Sequence, residues 1–169
     1  MIEAPCRLQV EPLTIEAFRP FGEVLEASDA VRHFTINGGN TERYHDLARL
    51  EPGADGRLIV SIFRGLPRSL PFTVSMMERH PKASQAFFPL SGRPYLVVVA
   101  PPGEPPTAAT LRCFLAGPQQ GVNYATGTWH HPLLALDAVS DFLVLDRAGE
   151  GPNCDEVTLD PVALIPPAG

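Results

Sequence analysis

In one stretch of the chain, the residues at every second position change from apolar to polar: Phe72, Val74 and Met76, then Glu78 and His80. Residues two apart in a β-strand point to the same face of a sheet. The pattern therefore predicts a strand whose inner face is apolar at one end and carries a carboxylate and an imidazole at the other. Such a face is typical of the wall of a polar pocket.

Short apolar runs recur along the chain, at residues 58–64, 85–90, 94–100, 129–136 and 140–146. Nineteen prolines and fourteen glycines punctuate them, and no long amphipathic helix is available to connect parallel strands. This pattern favours an antiparallel β-barrel or sandwich over βαβ units. The 169 residues fit one domain, spanning 1–169. We expect an all-β fold with one or two short helices.

Three further segments carry structural expectations. Thr14 is a suitable N-cap for a short helix over residues 15–18, which must end before Pro20. Residues 117–127 read as a loop. The tail from Gly149 contains four prolines and little periodicity, so we expect it to lie over the surface.

Charge and cysteine usage narrow the class of partner. The net charge is −6 and the pI is about 5.3, which argues against nucleic acid or an anionic membrane as partner. A local arginine can still bind a small anionic substrate. The three cysteines are widely spaced and odd in number, which predicts free thiols in a reducing compartment. With no signal-peptide pattern at the N-terminus, we expect a cytoplasmic protein.

Four residues stand out as carriers of chemistry: Glu78, His80, Gln85 and His130. A carboxylate, an amide oxygen and two imidazoles could surround one divalent metal ion. The alternative is that Glu78 and His80 form a hydrogen-bonded polar pair that closes one end of the barrel.

The spacing of these residues resembles the motifs of the cupin superfamily. Glu78-x-His80 is followed after four residues by Gln85 and after six more by Gly92, where cupins have H-x-H, a carboxylate and a glycine. The string from Ala125 to His130, A-x-G-x-x-H, resembles the second cupin motif. Glutamate and glutamine replace two of the usual ligands. The resemblance implies a cupin-like antiparallel β-barrel or jelly roll.

Seven strings are together similar to the ureidoglycolate lyase family, formerly described as ureidoglycolate hydrolases: ERYHDLA (42–48), SLPFTVSMMERHP (69–81), SQAFFPLSG (84–92), QGVNY (120–124), WHHPL (129–133), SDFLVLDR (140–147) and NCDEV (153–157). This resemblance implies a homodimeric enzyme of allantoin breakdown that splits ureidoglycolate into glyoxylate and urea, with nickel as cofactor. The alternatives are an amidohydrolase that releases ammonia from the same substrate, and a non-catalytic cupin that binds a small acid.

The chemistry of this lyase reaction assigns hypothetical roles to residues. His80 or His130 carries the proton, because imidazole titrates near neutral pH. Glu78 orients that imidazole or binds the metal. Arg64 is a candidate clamp for the substrate carboxylate, or else a surface arginine. Gln85 belongs to the same pocket wall.

Other polar residues have weaker assignments. Asn123 and Tyr124 are candidate donors to the ureido group, or else structural loop residues. Arg79 has the opposite parity to Glu78 and should face outward. If His130 points into the pocket, His131 has the opposite parity and is the weaker candidate for chemistry. Trp129 is expected to pack beside the site. His33, His45 and Asp46 could line the rim of the pocket or be solvated, and the sequence favours neither.

Overall fold

Strands dominate the computed structural model, which describes residues 4–168. The strands are β1 (Cys6–Arg7), β2 (Val10–Pro12), β3 (Gly22–Leu25), β4 (His33–Ile36), β5 (Thr41–Tyr44), β6 (Arg57–Gly65), β7 (Phe72–Arg79), β8 (Gln85–Pro89), β9 (Tyr95–Ala100), β10 (Arg112–Ala116), β11 (Gly121–Tyr124), β12 (Trp129–His130), β13 (Leu134–Ala135), β14 (Ser140–Ala148) and β15 (Asp155–Ile165). The helices are α1 (Ile15–Phe18) and two 3₁₀ turns, Asn37–Gly39 and Ala108–Thr110.

The strands form two large sheets and a hairpin. Sheet A has the order β1-β15-β7-β12-β9-β10-β2, with β13 also paired to β9, and sheet B has the order β3-β11-β8-β14-β6. Strands β4 and β5 form the separate hairpin. Pairing is antiparallel apart from β1 with β15 and β2 with β10, which are parallel. The predicted all-β, cupin-like architecture is confirmed.

Two apolar cores lie on opposite faces of sheet A. Val97 of β9 packs in the first core with Phe87 and Phe142 of sheet B, so this core lies between the sheets. Its neighbour Val98 packs in the second core, on the other face of sheet A, in the same cluster as Trp129. Strand β9 is therefore buried on both faces, which explains why its sequence is apolar throughout. Full burial of each large apolar side chain contributes roughly 1.5–3 kcal/mol.

The predicted short helix forms where its capping residue indicates. The Thr14 hydroxyl accepts a hydrogen bond from the Ala17 backbone N–H at 3.2 Å, and α1 ends at Phe18. Phe18 is fully buried in the first core against Phe21 and Phe114, so the helix is anchored to the core between the sheets. A turn this short depends on that packing for its stability.

Two segments that we expected to be irregular are strands. Residues 117–127 contain β11, which is buried along its length between β3 and β8. The proline-rich tail contains β15, an eleven-residue strand paired with β7, so it does not simply lie over the surface. Its pairing register shifts between Thr158 and Ala163, around Pro161, which has no N–H to donate. The irregularity hides the alternation that normally marks a strand.

Within residues 4–168, no helix has both the length and the apolar character needed to span a lipid bilayer.

Candidate active site

One row of side chains runs across sheet B toward the barrel interior. Tyr124 of β11 is directly opposite Gln85 of β8. Because Leu145 of β14 pairs with Ala86, Asp146 lies beside Gln85 on its other side. Phe87 and Val144, two residues from Gln85 and Asp146, belong to the core between the sheets. Side chains two apart share a face, so the polar row faces the same interior.

A second polar row faces it from sheet A. His130 of β12 pairs directly with Glu78 of β7, and their closest side-chain atoms, Nε2 and Oε1, are 3.4 Å apart. His80 follows the end of β7, and its ring centroid lies 5.1 Å from that of His130. The structure thus brings Glu78, His80, Gln85 and His130 together at one end of the barrel.

Strict alternation along β7 is not observed. Val74 and Met77, three residues apart, pack in the same core outside the barrel, and Phe72 packs against that core too. Phe72 and Val74 therefore do not lie on the face that carries Glu78. The register irregularity between β7 and β15 falls in this part of the strand and changes the parity.

The residues around Trp129 are placed on the outer side as expected. Arg79 stacks over the Trp129 ring at 4.6 Å and donates a hydrogen bond to Asp155. Trp129 itself is buried in the second core. Both residues therefore support β7 from behind and do not enter the polar cluster.

Burial and proximity set the charge states of Glu78 and His130. Contact with His130 lowers the pKa of Glu78, against the opposing effect of burial. Burial lowers the pKa of His130, although the Glu78 carboxylate partly counteracts the shift. At neutral pH the pair is consequently a carboxylate and a neutral imidazole. Nε2 of His130 is buried with no hydrogen-bond partner among residues 4–168.

The His80 ring is held from both sides. Its Nδ1 lies 2.7 Å from the backbone carbonyl oxygen of Asn153, and its Nε2 lies 3.1 Å from Oε1 of Gln85. The Gln85 amide in turn donates to Asp146 at 3.2 Å. Both partner atoms are hydrogen-bond acceptors, and together they fix the orientation of the ring. Asn153 and Asp146 were not predicted from the sequence.

The cluster fits a divalent metal ion. Glu78, His80 and His130 each offer one ligand atom, and these atoms lie within 4.8 Å of one another. Two ligands that each lie ~2.1 Å from one ion are roughly 3.0–3.4 Å apart. Two separations match this range: 3.4 Å between the atoms of Glu78 and His130, and 3.1 Å between Nε2 of His80 and Oε1 of Gln85. Nε2 of His130, which has no hydrogen-bond partner among residues 4–168, is the atom that would bind a metal ion.

A cavity of about 350 Å³ opens onto the cluster. Its walls include Glu78, Gln85, Tyr124 and His130, together with His131, whose pKa is lowered by burial. Its mouth carries Arg64, whose guanidinium makes a two-point ion pair with Asp141 at 2.8 and 2.9 Å. The Arg64 side chain is exposed, and it lies with Asp141 on the outer face of sheet B, because the neighbouring pair Phe63 and Phe142 faces inward.

Tyr124 and Asn123 have different positions, although they are adjacent in sequence. The Tyr124 ring stacks on His130 and lines the cavity. Asn123 points to the other face of β11, where its amide donates to Glu23 and to the Arg49 carbonyl. The structure does not bring Asn123 to this cavity, because neighbouring strand residues face opposite ways.

Three other polar residues lie elsewhere. His33 pairs with Glu42 in the β4–β5 hairpin, and His45 and Asp46 line a separate cleft beside Arg32. None of them lines the cavity described here.

Cys154 is a neighbour of the site that the sequence did not indicate. Its sulfur lies 3.7 Å from Oε2 of Glu78. Desolvation and the Glu78 carboxylate raise the pKa of the thiol to about 11, so it is protonated at neutral pH and donates to Glu78. Cys154 lies just before β15, which pairs with β7. Only knowledge of that pairing could have predicted its contact with Glu78.

Comparison with known proteins identifies the family of this chain. The family model described as ureidoglycolate lyase matches residues 5–165. The ureidoglycolate lyase of Burkholderia cepacia is 59% identical over 155 residues, covering 90% of this chain and 86% of the relative. That of Azotobacter vinelandii is 54% identical, covering 88% and 90%. Ureidoglycolate lyase 1 of Rhizobium meliloti is 52% identical, covering 94% and 93%. With the fold, the cavity and these similarities in agreement, the chain belongs to the ureidoglycolate lyase family.

Proposed function

We propose that this chain is a ureidoglycolate lyase, which splits ureidoglycolate into glyoxylate and urea. The observation that carries the proposal is the cluster of one carboxylate and two imidazoles, Glu78, His80 and His130, of which Glu78 and His130 line the cavity. The names of the relatives at 52–59% identity support the same substrate.

The reaction requires only proton transfer and charge stabilisation. Ureidoglycolate carries a hydroxyl, a urea nitrogen and a carboxylate on one carbon. A base removes the hydroxyl proton, the C=O of glyoxylate forms, and the C–N bond electrons pass to the urea nitrogen. An acid then supplies a proton to that nitrogen. One proton is taken up and one is delivered, so the step balances without a redox cofactor.

The two histidines match the base and the acid. His130 is neutral, and its Nε2 has no other partner among the described residues, so this atom accepts the hydroxyl proton. His80 is assigned as the acid that supplies a proton to the leaving nitrogen, because it lies beside His130 in the same cluster. Glu78 stabilises the positive charge that develops on His130.

Substrate binding is assigned to residues of the cavity wall. Arg64 at the rim is assigned to the substrate carboxylate, which would take the place of Asp141 as partner of the guanidinium. The Tyr124 hydroxyl is assigned to a hydrogen bond with the ureido group, together with the one N–H of the Gln85 amide that is not donated to Asp146. Asn123 is left out of this assignment because its amide is engaged with Glu23 on the other face of β11.

A nickel ion is the cofactor that the family resemblance implies. Glu78, His80 and His130 would hold it, with Gln85 as a further oxygen ligand. A bound divalent ion would polarise the hydroxyl and carboxylate oxygens of the substrate. Nε2 of His130 can serve as a ligand or as a base but not as both, so metal removal separates the two roles.

The products test the proposed function directly. Purified protein incubated with ureidoglycolate is expected to release urea and glyoxylate in equal amounts. Ammonia in place of urea would indicate the amidohydrolase, and binding without turnover would indicate a non-catalytic protein; either result contradicts the proposal.

A second experiment addresses the metal. Protein treated with a chelator is expected to lose activity and to regain it with Ni²⁺, and His80→Ala is expected to lose both activity and Ni²⁺ binding. Full turnover by the metal-free protein would instead assign Glu78 and His130 to proton transfer alone.

The homodimer implied by the resemblance is proposed to form along β6. This nine-residue strand is the edge of sheet B and pairs only with β14 among the described strands. Val60 and Ile62 are 66% and 62% exposed on it. An exposed apolar edge favours association unless another strand covers it. Because Arg64 follows on the same strand, the second copy would border the cavity mouth.

A cytoplasmic location is proposed as well. Cys6, Cys113 and Cys154 are all free thiols, which is the usual state in a reducing compartment. Cell fractionation with an antibody against the protein would test it.

A further inference from the structure

Asp146 is a carboxylate in the inner row of sheet B for which the fold offers no stabilising purpose. Its Oδ2 accepts one hydrogen bond, from the Gln85 amide at 3.2 Å. Its Oδ1 is buried and has no hydrogen-bond partner among residues 4–168. A buried carboxylate oxygen without a partner costs free energy. Residues that break a local rule in this way are expected at functional sites.

The contact with Asp146 determines which way the Gln85 amide points. A carboxylate only accepts hydrogen bonds, so the NH₂ group of Gln85 must face Asp146. The carbonyl oxygen of the amide then faces the opposite direction, where it meets Nε2 of His80 at 3.1 Å. Without Asp146, the amide could turn over and present its NH₂ group to His80 instead.

The other side of His80 offers no comparable choice. Its Nδ1 faces the backbone carbonyl oxygen of Asn153 at 2.7 Å, which is a fixed acceptor. The orientation of the Gln85 amide is therefore the variable that decides how the ring is held. That orientation depends on a residue 61 positions away in the chain.

We propose that Asp146 is a positioning residue for the lyase reaction, which acts by fixing the Gln85 amide so that its oxygen holds Nε2 of His80 in the polar cluster beside the cavity. Asp146 itself does not line that cavity and does not touch the substrate. The inference rests on the proposed function for its kinetic consequence, whereas the hydrogen-bond chain can be tested without substrate.

Four variants separate this role from a general structural one. Asp146→Ala removes the acceptor, and Asp146→Asn retains one in its amide oxygen. Gln85→Glu places two carboxylates against each other. In the double variant Gln85→Glu/Asp146→Asn, the Asn amide can donate to the new carboxylate, whose second oxygen again accepts from His80. Glu11→Gln is the matched control, because Glu11 is a paired carboxylate on the distant strand β2.

The expected kinetic result is a tenfold to hundredfold loss of kcat in Asp146→Ala and in Gln85→Glu, with KM changed less than kcat. Asp146→Asn should stay within a few-fold of the native protein, and the double variant should exceed Gln85→Glu by about tenfold or more. The melting temperature of Asp146→Ala should not fall with its activity. Glu11→Gln should keep native kinetics.

Two readouts are independent of turnover. The affinity for Ni²⁺ alone should fall in Asp146→Ala, which is measured as a higher dissociation constant. It should recover in the double variant. In metal-free protein, the ¹⁵N–¹H signals of the His80 ring should shift in Asp146→Ala and return toward their native positions in the double variant. If the native protein released no urea, the proposed function would fail, while the His80 signals would still test the hydrogen-bond chain. Native-like His80 signals in Asp146→Ala, or no recovery in the double variant, would overturn the proposal.

Discussion

The phenol ring of Tyr124 lies flat against the imidazole of His130, with centroids 4.2 Å apart and planes 8° from parallel. Tyr124 comes from sheet B and His130 from sheet A, so the contact joins the two walls of the barrel. His130 is only 1% exposed, and its burial is the main cause of its lowered pKa. Tyr124 thus helps to keep the imidazole neutral and in place.

Replacement of Tyr124 should separate stacking from hydrogen bonding. Tyr124→Phe keeps the ring, so stability should change little while KM for ureidoglycolate rises because the hydroxyl is lost. Tyr124→Ala removes the ring and should lower the free energy of unfolding by about 3–5 kcal/mol. Steady-state kinetics and chemical denaturation measure the two effects. Tyr44→Phe, in the remote stacked pair with His33, is the matched control and should leave KM unchanged.

The buried His130 should make stability depend on pH. Its pKa in the folded protein lies below the ordinary value of 6.5, so the unfolded chain binds more protons between the two values. Stability from this group is therefore present above pH ~6.5 and lost as the pH falls through that window. Chemical denaturation at several pH values should show that the free energy of unfolding of His130→Gln falls less steeply with decreasing pH than that of the native protein. A slope identical to that of the native protein would contradict the assignment.

Replacement of Arg64 should affect substrate binding more than folding. Arg64→Gln removes the guanidinium proposed to bind the substrate carboxylate, so KM should rise about tenfold or more. Its ion pair with Asp141 is solvent-exposed, so the melting temperature should change little. Arg49→Gln breaks another exposed ion pair, with Glu51, and should leave KM at the native value. An unchanged KM in Arg64→Gln would remove this residue from the proposed site.

Charges placed on strand β6 should prevent the proposed dimer. Lysine on an edge strand opposes pairing with a second chain, so Val60→Lys/Ile62→Lys is expected to be monomeric. Light scattering coupled to size-exclusion chromatography would show half the native mass. Leu115→Lys, at an apolar position of sheet A that is 42% exposed, is the control and should remain dimeric. A double variant that still dimerises would place the interface elsewhere.

The sequence predicted the elements whose patterns are local. The apolar runs at 58–64 and 140–146 became β6 and β14, and Thr14 caps α1 as expected. Those signals depend on side chains near one another in the chain. Strands β11 and β15 were missed, because β11 is short and β15 is interrupted around Pro161. Their stability comes from pairing with distant strands, which has no local signature.

The sequence by itself determined the all-β class and marked Glu78, His80, Gln85 and His130 through their spacing. Only the tertiary structure decided which side chains surround them. The pairing of β11, β8 and β14 places Tyr124 and Asp146 on either side of Gln85, and the register of β7 turns Glu78 toward His130. A shift of one residue in any of these pairs would move every side chain of that strand to the opposite face. Register is set by the packing of both cores together, so it is a property of the whole fold.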